Sequence, residues 1–302
     1  MTPADVAVLV CPRCRSGLEF HGTTRDEQIV AGILRCLACG RAWPVRDGLP
    51  HLVEDDDVAG LDRVMRLVYD VIAPLHDTLT SVVVPVMQFG SEAATRDAYI
   101  RRLDLRALVH EPALRPLRIL EVGIGTGANV PLLERQLPPD LDVELWGLDL
   151  SRGMIAQCRR RLAGRAARPV RLVLGDAHAL PFGDRQFDRV FHVGGIAAYR
   201  DPRRALAEMA RVARPGTPIV VVDERLDPSR GHSLYHRVMF RALTFYDMAP
   251  DSPRRYLPAT ATDVVDDQAS RFYYCLSFSM PAPAASEADP AASVAAPTRT
   301  FP

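Results

Sequence analysis

Three glycines at alternate positions follow an apolar run in the segment Arg118-Ile-Leu-Glu-Val-Gly-Ile-Gly-Thr-Gly127. Glycine has no Cβ atom, so such a loop lets a ligand approach the main chain and permits left-handed backbone angles. The spacing Gly123-x-Gly125-x-x-Ala128, with Asp149 about 20 residues further on, is compatible with a dinucleotide site. No Gly-Lys-Ser/Thr follows, which excludes a P-loop. The segment therefore predicts a loop for a nucleotide-like cofactor, either a dinucleotide or S-adenosylmethionine.

Carboxylates at the ends of the predicted strands favour one of these cofactors. Glu121 lies inside the first strand, where a buried carboxylate costs free energy unless it meets donors. Asp149 ends the second strand, where it can accept hydrogen bonds from two ribose hydroxyls. Asp176 ends the third, where it can accept from an adenine amine while the backbone N–H of Ala177 serves a ring nitrogen. Carboxylates repel a pyrophosphate and attract an ammonium and a sulfonium, so the acids favour S-adenosylmethionine.

The elements that position these residues are predicted from alternating strand-like and helix-like segments. Strands are expected at 118–122, 143–148, 170–174, 187–192 and 217–222, and helices are expected to begin near Thr126, Ser151 and Pro202. Ser151 is the expected N-cap of the second helix. The alternation predicts a mostly parallel sheet with helices on both faces and a ligand at the carboxyl ends of the strands.

Together, these motifs resemble those of class I S-adenosylmethionine-dependent methyltransferases. The resemblance is carried by Ile119-Leu-Glu-Val-Gly-Ile-Gly-Thr-Gly127, Gly147-Leu-Asp-Leu-Ser151, Gly175-Asp-Ala177, Phe187-Asp188 and the segment 206–216. It implies an α/β fold with a Rossmann-like, doubly wound, mostly parallel seven-stranded sheet, and methyl transfer from S-adenosylmethionine as the activity. It also implies a cofactor site formed by Glu121, Gly123, Gly125, Gly127, Asp149, Leu150, Met154, Asp176, Ala177 and His192.

Two upstream segments, 69–77 and 96–99, are similar to the N-terminal cover of the subgroup that methylates quinones and other small molecules. His76 stands where that subgroup usually carries Tyr. The similarity implies a small-molecule acceptor, unidentified, for O-, C- or N-methylation. The apolar segments 68–89 and 234–245 are expected to close a pocket over this acceptor. Its expected wall residues are Ile72, Met87, Phe89, Tyr235 and Met239.

The histidines supply candidates for a catalytic base. His192 lies at the end of the fourth predicted strand, where it either removes a proton from the acceptor or is a wall residue. His232 and His236 lie in the insertion after the fifth strand and are further candidates. Two other functions remain open: an RNA methyltransferase that uses the N-terminal segment for recognition, and a non-catalytic protein that binds S-adenosylmethionine.

Four cysteines, Cys11, Cys14, Cys36 and Cys39, form two C-x-x-C pairs. Two such pairs close a tetrahedral site that suits zinc, and four thiolates leave no open position, so the metal would be structural. With the following residues 41–50, the segment resembles the zinc ribbon of the small activator subunit of certain tRNA and protein methyltransferases. The ribbon either packs against its neighbour or takes part in substrate recognition.

The chain is expected to divide into a zinc ribbon (1–54), a helical cover (61–110), the methyltransferase domain (111–280) and a disordered tail (281–302) rich in Ala, Pro and Ser. Its 37 basic and 37 acidic residues give no net charge. Residues 1–50 contain six arginines against five acids, which makes nucleic acid an unlikely partner. No stretch approaches the roughly 18 apolar residues of a membrane span, and a cytoplasmic location is expected.

Overall fold

The computed structural model describes residues 1–78, 82, 86, 92–108, 116–164 and 167–282. Most of the predicted tail, 283–302, and the predicted wall residues Met87 and Phe89 lie outside these ranges. The N-terminal part consists of four antiparallel strands, β1 (Leu18–Arg25), β2 (Gln28–Cys36), β3 (Ala42–Arg46) and β4 (Leu49–Leu52). Two helices follow, α1 (Gly60–Thr78) and α2 (Glu92–Arg101).

The rest of the chain alternates strands and helices, as predicted. Its strands are β5 (Leu117–Val122), β6 (Val143–Asp149), β7 (Val170–Gly175), β8 (Arg189–Val193), β9 (Ile219–Glu224), β10 (Thr262–Gln268) and β11 (Tyr273–Ser279). Its helices are α3 (Val130–Gln136), α4 (Arg152–Leu162), α5 (Pro202–Val212) and α6 (Leu234–Leu243). The spatial order is β7-β6-β5-β8-β9-β11-β10, parallel up to β9 and antiparallel beyond it. This is the predicted α/β class with a mostly parallel sheet, and its order reverses at β5.

The predicted number of seven strands is too low, because the four N-terminal strands continue the same sheet. β4 pairs in parallel with β7, with His51 opposite Leu174 and Leu52 opposite Gly175. One eleven-stranded order results. The pairing covers the edge of β7, whose backbone groups would otherwise lack partners.

The N-terminal strands also share a hydrophobic core with the parallel sheet. Val8, Leu9 and Trp43 belong to the same buried cluster as Trp146 and Phe182. Two ion pairs reinforce this contact: Arg171 Nε lies 2.6 Å from Asp5 Oδ1, and Arg15 Nη2 lies 2.9 Å from Glu208 Oε1. The two parts therefore pack as neighbours in one core.

Two helix boundaries differ from prediction. The helix expected from Thr126 begins at Val130, because Gly125 and Gly127 have φ angles of +56° and +73°, which no α-helix contains. Within the helical cover expected over 61–110, α2 ends at Arg101. Ser151 does cap α4, since its side chain accepts a hydrogen bond from the Met154 N–H at 3.0 Å. Among the described helices, none has the length and apolar content to span a bilayer.

Candidate active site

A cavity of about 490 Å³ lies at the carboxyl ends of β5, β6, β7, β8 and β9. Helices α1 and α2 and the residues at the end of α6 cover it. Nine of the ten predicted cofactor residues line it: Glu121, Gly123, Gly125, Asp149, Leu150, Met154, Asp176, Ala177 and His192. Gly127 does not, because it faces α4, where an added Cβ would lie 2.8 Å from Cys158 Sγ. Its role in the structure is close packing.

Glu121 presents a buried oxygen without a partner. The side chain is 2% exposed, and its Oε1 accepts a hydrogen bond from Asn129 Nδ2 at 2.6 Å. Its Oε2 is buried and has no hydrogen-bond partner. Burial raises the pKa of Glu121 to about 8, although Asn129 and Arg96 oppose the shift. Asn129 is held in turn by Arg96 and Tyr99 of α2. The free oxygen suits a cationic ligand group.

Asp149 is hydrogen-bonded to the glycine loop that follows β5. Its Oδ2 accepts from the Gly125 N–H and its Oδ1 from the Ser151 N–H, each at 2.8 Å. Burial raises its pKa to about 6 against these hydrogen bonds. A carboxylate can accept about four hydrogen bonds, so Asp149 keeps acceptor capacity for ligand hydroxyls beyond the backbone donors of Gly125, Leu150 and Ser151. Asp70 of α1 binds the same region, accepting from Ser151 Oγ at 2.6 Å and from the Gly153 N–H at 2.8 Å.

Asp176 is part of a buried ionic cluster. Its Oδ1 accepts from the backbone N–H of His178 at 2.8 Å and contacts His178 Nδ1 at 2.6 Å, and its Oδ2 accepts from Arg200 Nη2 at 2.7 Å. Arg200 also pairs with Asp62 of α1. Burial alone would raise the pKa of Asp176, but the hydrogen bonds of His178 and Arg200 lower it to about 2. Asp176 is therefore ionised, with one acceptor position left on Oδ2.

His192 presents a buried imidazole ring to the cavity. Its ring is 1% exposed, and its Nδ1 lies 2.7 Å from the carbonyl oxygen of Val122. A carbonyl only accepts, so Nδ1 carries the hydrogen and Nε2 carries a lone pair. Nε2 is buried without a partner, and burial lowers the pKa of His192. Gly123 leaves room for this ring, since a Cβ there would lie 3.2 Å from its Cε1 and Nδ1.

The other candidate bases lie off the cavity wall. His232 Nε2 contacts the Asp227 carbonyl at 2.6 Å, and His236 Nδ1 contacts Ser233 Oγ at 2.8 Å; neither residue lines the cavity. Of the predicted acceptor-pocket residues, Ile72 lines the cavity, whereas Tyr235 and Met239 do not. They precede the part of the chain, Ala242 to Tyr246, that does reach it.

Aromatic side chains form part of the cavity wall. Tyr69, Tyr199, Phe245, Tyr246 and Tyr273 all line it. Tyr199 packs against His192 with ring centroids 5.3 Å apart.

A second acid lies among these aromatic residues. Glu224 ends β9, is 8% exposed, and accepts a hydrogen bond from Tyr246 Oη at 2.7 Å. Burial and the neighbouring Asp223 raise the pKa of Glu224 well above its usual value. This aromatic part of the cavity therefore contains a neutral carboxyl group.

The site residues that were not predicted include Asp62, Asp70, Arg200, Glu224 and Tyr246. Asp62 and Asp70 are eight residues apart and so lie on similar faces of α1, which was the available signal. Their partners, Arg200 and Ser151, are 138 and 81 residues away, and no local pattern indicates such pairings.

The four N-terminal cysteines form a separate cluster. Their Sγ atoms all lie within 4.8 Å of one another, with Cys11 and Cys39 at 3.8 Å and Cys14 and Cys36 at 3.4 Å. The backbone of Ser16, followed by Cys36, lowers the pKa of Cys14 to about 6. The Cys39 N–H points at Cys36 Sγ at 3.4 Å. The cluster brings together the four residues predicted as metal ligands.

Comparison with protein families gives two matches. A family described as a methyltransferase domain matches residues 119–216. A family described as Trm112p-like protein matches residues 6–48. The first match covers β5 to the turn before β9, and the second covers most of the N-terminal strands.

Individual proteins extend this similarity. The chain is 35% identical over 175 residues to a demethylmenaquinone methyltransferase of Thermus thermophilus, covering 58% of this chain and 72% of the relative. It is 34% identical over 191 residues to a demethylmenaquinone methyltransferase of Renibacterium salmoninarum, covering 61% and 70%. A solved structure of Haemonchus contortus phosphoethanolamine N-methyltransferase 2 with S-adenosyl-L-methionine aligns with a TM-score of 0.52 and 16% identity, covering 79% of this chain and 62% of that chain. The last similarity concerns the fold alone.

Proposed function

Since the chain belongs to the S-adenosylmethionine-dependent methyltransferases, we propose that it methylates a flat, apolar, hydroxylated ring, with His192 as the base. The observation that carries the proposal is the buried lone pair of His192 Nε2 in an aromatic cavity.

The residues present fit the cofactor. The unpartnered Oε2 of Glu121 suits the ammonium of the methionyl group, and the remaining acceptor positions of Asp149 suit vicinal ribose hydroxyls. Asp176 Oδ2 keeps a position for an amine, beside the backbone N–H of Ala177. Gly123 and Gly125 line the same cavity, and without a Cβ atom they let the cofactor approach the main chain. When bound, the cofactor supplies a methyl group on an electron-poor sulfonium.

The chain contributes a base, an apolar wall and the exclusion of water. His192 is neutral because burial lowers its pKa, and its Nδ1–H is fixed on the Val122 carbonyl. Its Nε2 can therefore take the proton of an acceptor hydroxyl, which leaves the electron pair on the acceptor for attack. Tyr69, Tyr199 and Phe245 provide flat apolar surfaces on which a ring can lie.

The proposed acceptor class also draws on the relatives. Both relatives are named as methyltransferases of demethylmenaquinone, and each alignment spans more than half of this chain. A ring acceptor fits the aromatic lining, and the covering helices favour a small molecule over a bulky nucleic acid.

We also propose that the four cysteines hold one structural zinc ion. Zn–S bonds of about 2.3 Å in a tetrahedron place sulfurs about 3.8 Å apart. The Cys11–Cys39 and Cys14–Cys36 separations of 3.8 Å and 3.4 Å suit this arrangement. Because the ribbon shares a core and a sheet with the catalytic part, its proposed role is to stabilise that part.

The test measures methyl transfer from labelled S-adenosylmethionine to three acceptors: reduced demethylmenaquinone, phosphoethanolamine and bulk ribosomal RNA. The reduced quinone is the expected acceptor. His192→Gln should lower kcat about 100-fold, the lower end for loss of a general base, and change cofactor affinity far less. His21→Gln, at a half-exposed ribbon position, is the control. Preferential labelling of RNA, or full activity of His192→Gln, would refute the proposal.

A further inference from the structure

Exposed apolar side chains are concentrated around the cavity. Of the fourteen large apolar residues exposed in the described part of the chain, twelve lie at 61–86 or 234–248; the other two are Leu37 and Val265. On α1 they recur every three or four residues from Leu61 to Leu75, which places them on one face. We call the exposed apolar residues of α1, α6 and the turn after α6 the collar.

The collar is continuous with the cavity wall. Val71 is 78% exposed, and the adjacent Ile72 lines the cavity from the inner face of the same helix. Phe245 is 59% exposed and also lines the cavity. An apolar surface that runs from the outside of the molecule into the aromatic part of the cavity is typical of a site that receives an apolar ligand from an apolar phase.

The basic charge beside the collar lies on α6, whereas α1 contains both signs of charge. Asp62 and Asp70 of α1 turn inward, to Arg200 and Ser151. Helix α6 contains Arg237 and Arg241 and no acid, and Arg237 is exposed.

The acidic run before α1 is largely compensated by arginines. Glu54 pairs with Arg41, Asp55 with Arg66, and Asp57 lies 3.6 Å from Arg13. Of the two helices, α6 is basic and amphipathic, the character of helices that lie in the headgroup region of anionic bilayers.

From these observations we infer that the collar docks the chain on the surface of an anionic lipid bilayer, without crossing it. Docking places the cavity against the lipid, so that an acceptor dissolved in the bilayer enters without passing through water. This purpose rests on the proposed function, because it assumes an apolar ring acceptor.

The test is co-sedimentation of the full chain with two kinds of vesicle. One is phosphatidylcholine alone, and the other is equal parts phosphatidylcholine and phosphatidylglycerol. The chain should bind the anionic vesicles preferentially. Val71→Glu and Val238→Glu should each weaken this binding at least about tenfold, because a carboxylate would enter the headgroup region of an anionic surface. Leu37→Glu, 68% exposed on the ribbon, is the matched control and should bind as the wild type does.

A charge variant measures the electrostatic contribution to vesicle binding. Arg237→Gln should weaken binding to the anionic vesicles about fivefold, the effect of one basic residue near such a surface, whereas Arg25→Gln on β1 should not. Cofactor affinity, measured by calorimetry, should be unchanged in all variants. That measurement separates the two proposals, since failed vesicle binding with intact cofactor binding refutes docking alone.

The same variants distinguish a lipid surface from two other partners of the collar, another part of this chain and a second copy of it. If Val71→Glu or Val238→Glu lowers the Tm by several degrees, the chain itself covers the face, and docking is refuted. Light scattering would reveal a second copy as the occupant if the wild type is a dimer that Val238→Glu converts to a monomer. If this wild type also does not bind vesicles, docking is again refuted. A wild type that binds both vesicles weakly and equally would also overturn the inference.

Discussion

Replacing Glu121 by Gln should stabilise the cofactor-free protein while weakening its affinity for S-adenosylmethionine. Burial raises the pKa of Glu121 from its usual 4.5 to about 8. The folded chain therefore keeps a proton that the unfolded chain releases as the pH rises between these values. Unfolding becomes progressively more favourable across this window, and the full penalty is reached above the folded-state pKa. Gln has no ionised form and avoids the penalty.

The magnitude follows from the pKa shift. One pKa unit corresponds to about 1.4 kcal/mol, so the penalty is about 1 kcal/mol at pH 5 and about 4 kcal/mol at pH 8. The gain in stability of Glu121→Gln over wild type should therefore grow by about 3 kcal/mol between these two conditions. The amide can still accept from Asn129, which keeps the one hydrogen bond that the carboxyl makes.

Cofactor binding should change in the opposite direction. A hydrogen bond to a charged group contributes about 1.5–3 kcal/mol, so the variant should bind S-adenosylmethionine about 10-fold to 150-fold more weakly. In the wild type the affinity should also rise as pH approaches 8, because the ammonium pairs with the ionised form of Glu121. The variant should lose this dependence.

Urea unfolding at the two pH values and calorimetry with the cofactor measure these effects. Glu19→Gln is the control, because Glu19 is more than half exposed on β1. The reasoning is refuted if the stability difference between Glu121→Gln and wild type is the same at pH 5 and pH 8. It is also refuted if the variant binds the cofactor as tightly as the wild type.

Three further perturbations test other parts of the site. Asp149→Ala should weaken cofactor binding about 10-fold to 150-fold by calorimetry, and unchanged affinity would remove Asp149 from the site. Cys14→Ser should reduce the zinc content, measured by elemental analysis, well below one ion per chain; a wild type without zinc under reducing conditions would contradict the metal site. Gly127→Ala should destabilise the fold by about 1–3 kcal/mol more than Gly164→Ala, because both have positive φ but only the Cβ at 127 meets another atom, Cys158 Sγ at 2.8 Å. Equal losses of stability for the two glycine variants would show that backbone strain alone matters.

The parallel strands and most of the residues that line the cavity at their carboxyl ends were predictable because their signals are local. A buried strand followed by a glycine loop or an acid is visible within ten residues, as in Leu117–Val122 and the glycines after it. The methyltransferase fold and activity predicted from these motifs are confirmed by the family and by the relatives. The motif did not predict the surroundings of Gly127. Its spacing matches a ligand loop, but a Cβ added at this position would face a helix.

Long-range pairing was not predictable in the same way. β4 ends at Leu52 and pairs with Gly175, and nothing in either segment indicates the other. The two cysteine pairs indicated a small metal-held module, because a metal can hold such a module without a large core, and packing against its neighbour was one of two expected roles. The structure continues the sheet through this module, which joins the ribbon to β7, the strand that precedes Asp176.

Helix α1 is hydrogen-bonded to the two loops that follow β6 and β7. Asp62 binds Arg200, which also binds Asp176 after β7, and Asp70 binds Ser151 and Gly153 after β6. The same helix faces the cavity with Tyr69 and Ile72. A ligand that displaces either loop must therefore move the wall on which the acceptor would lie. Because both aspartates accept hydrogen bonds inside a largely buried interface, breaking either contact leaves a costly unpaired charge. The geometry of these two loops and that of the cavity wall are thus set by the same helix.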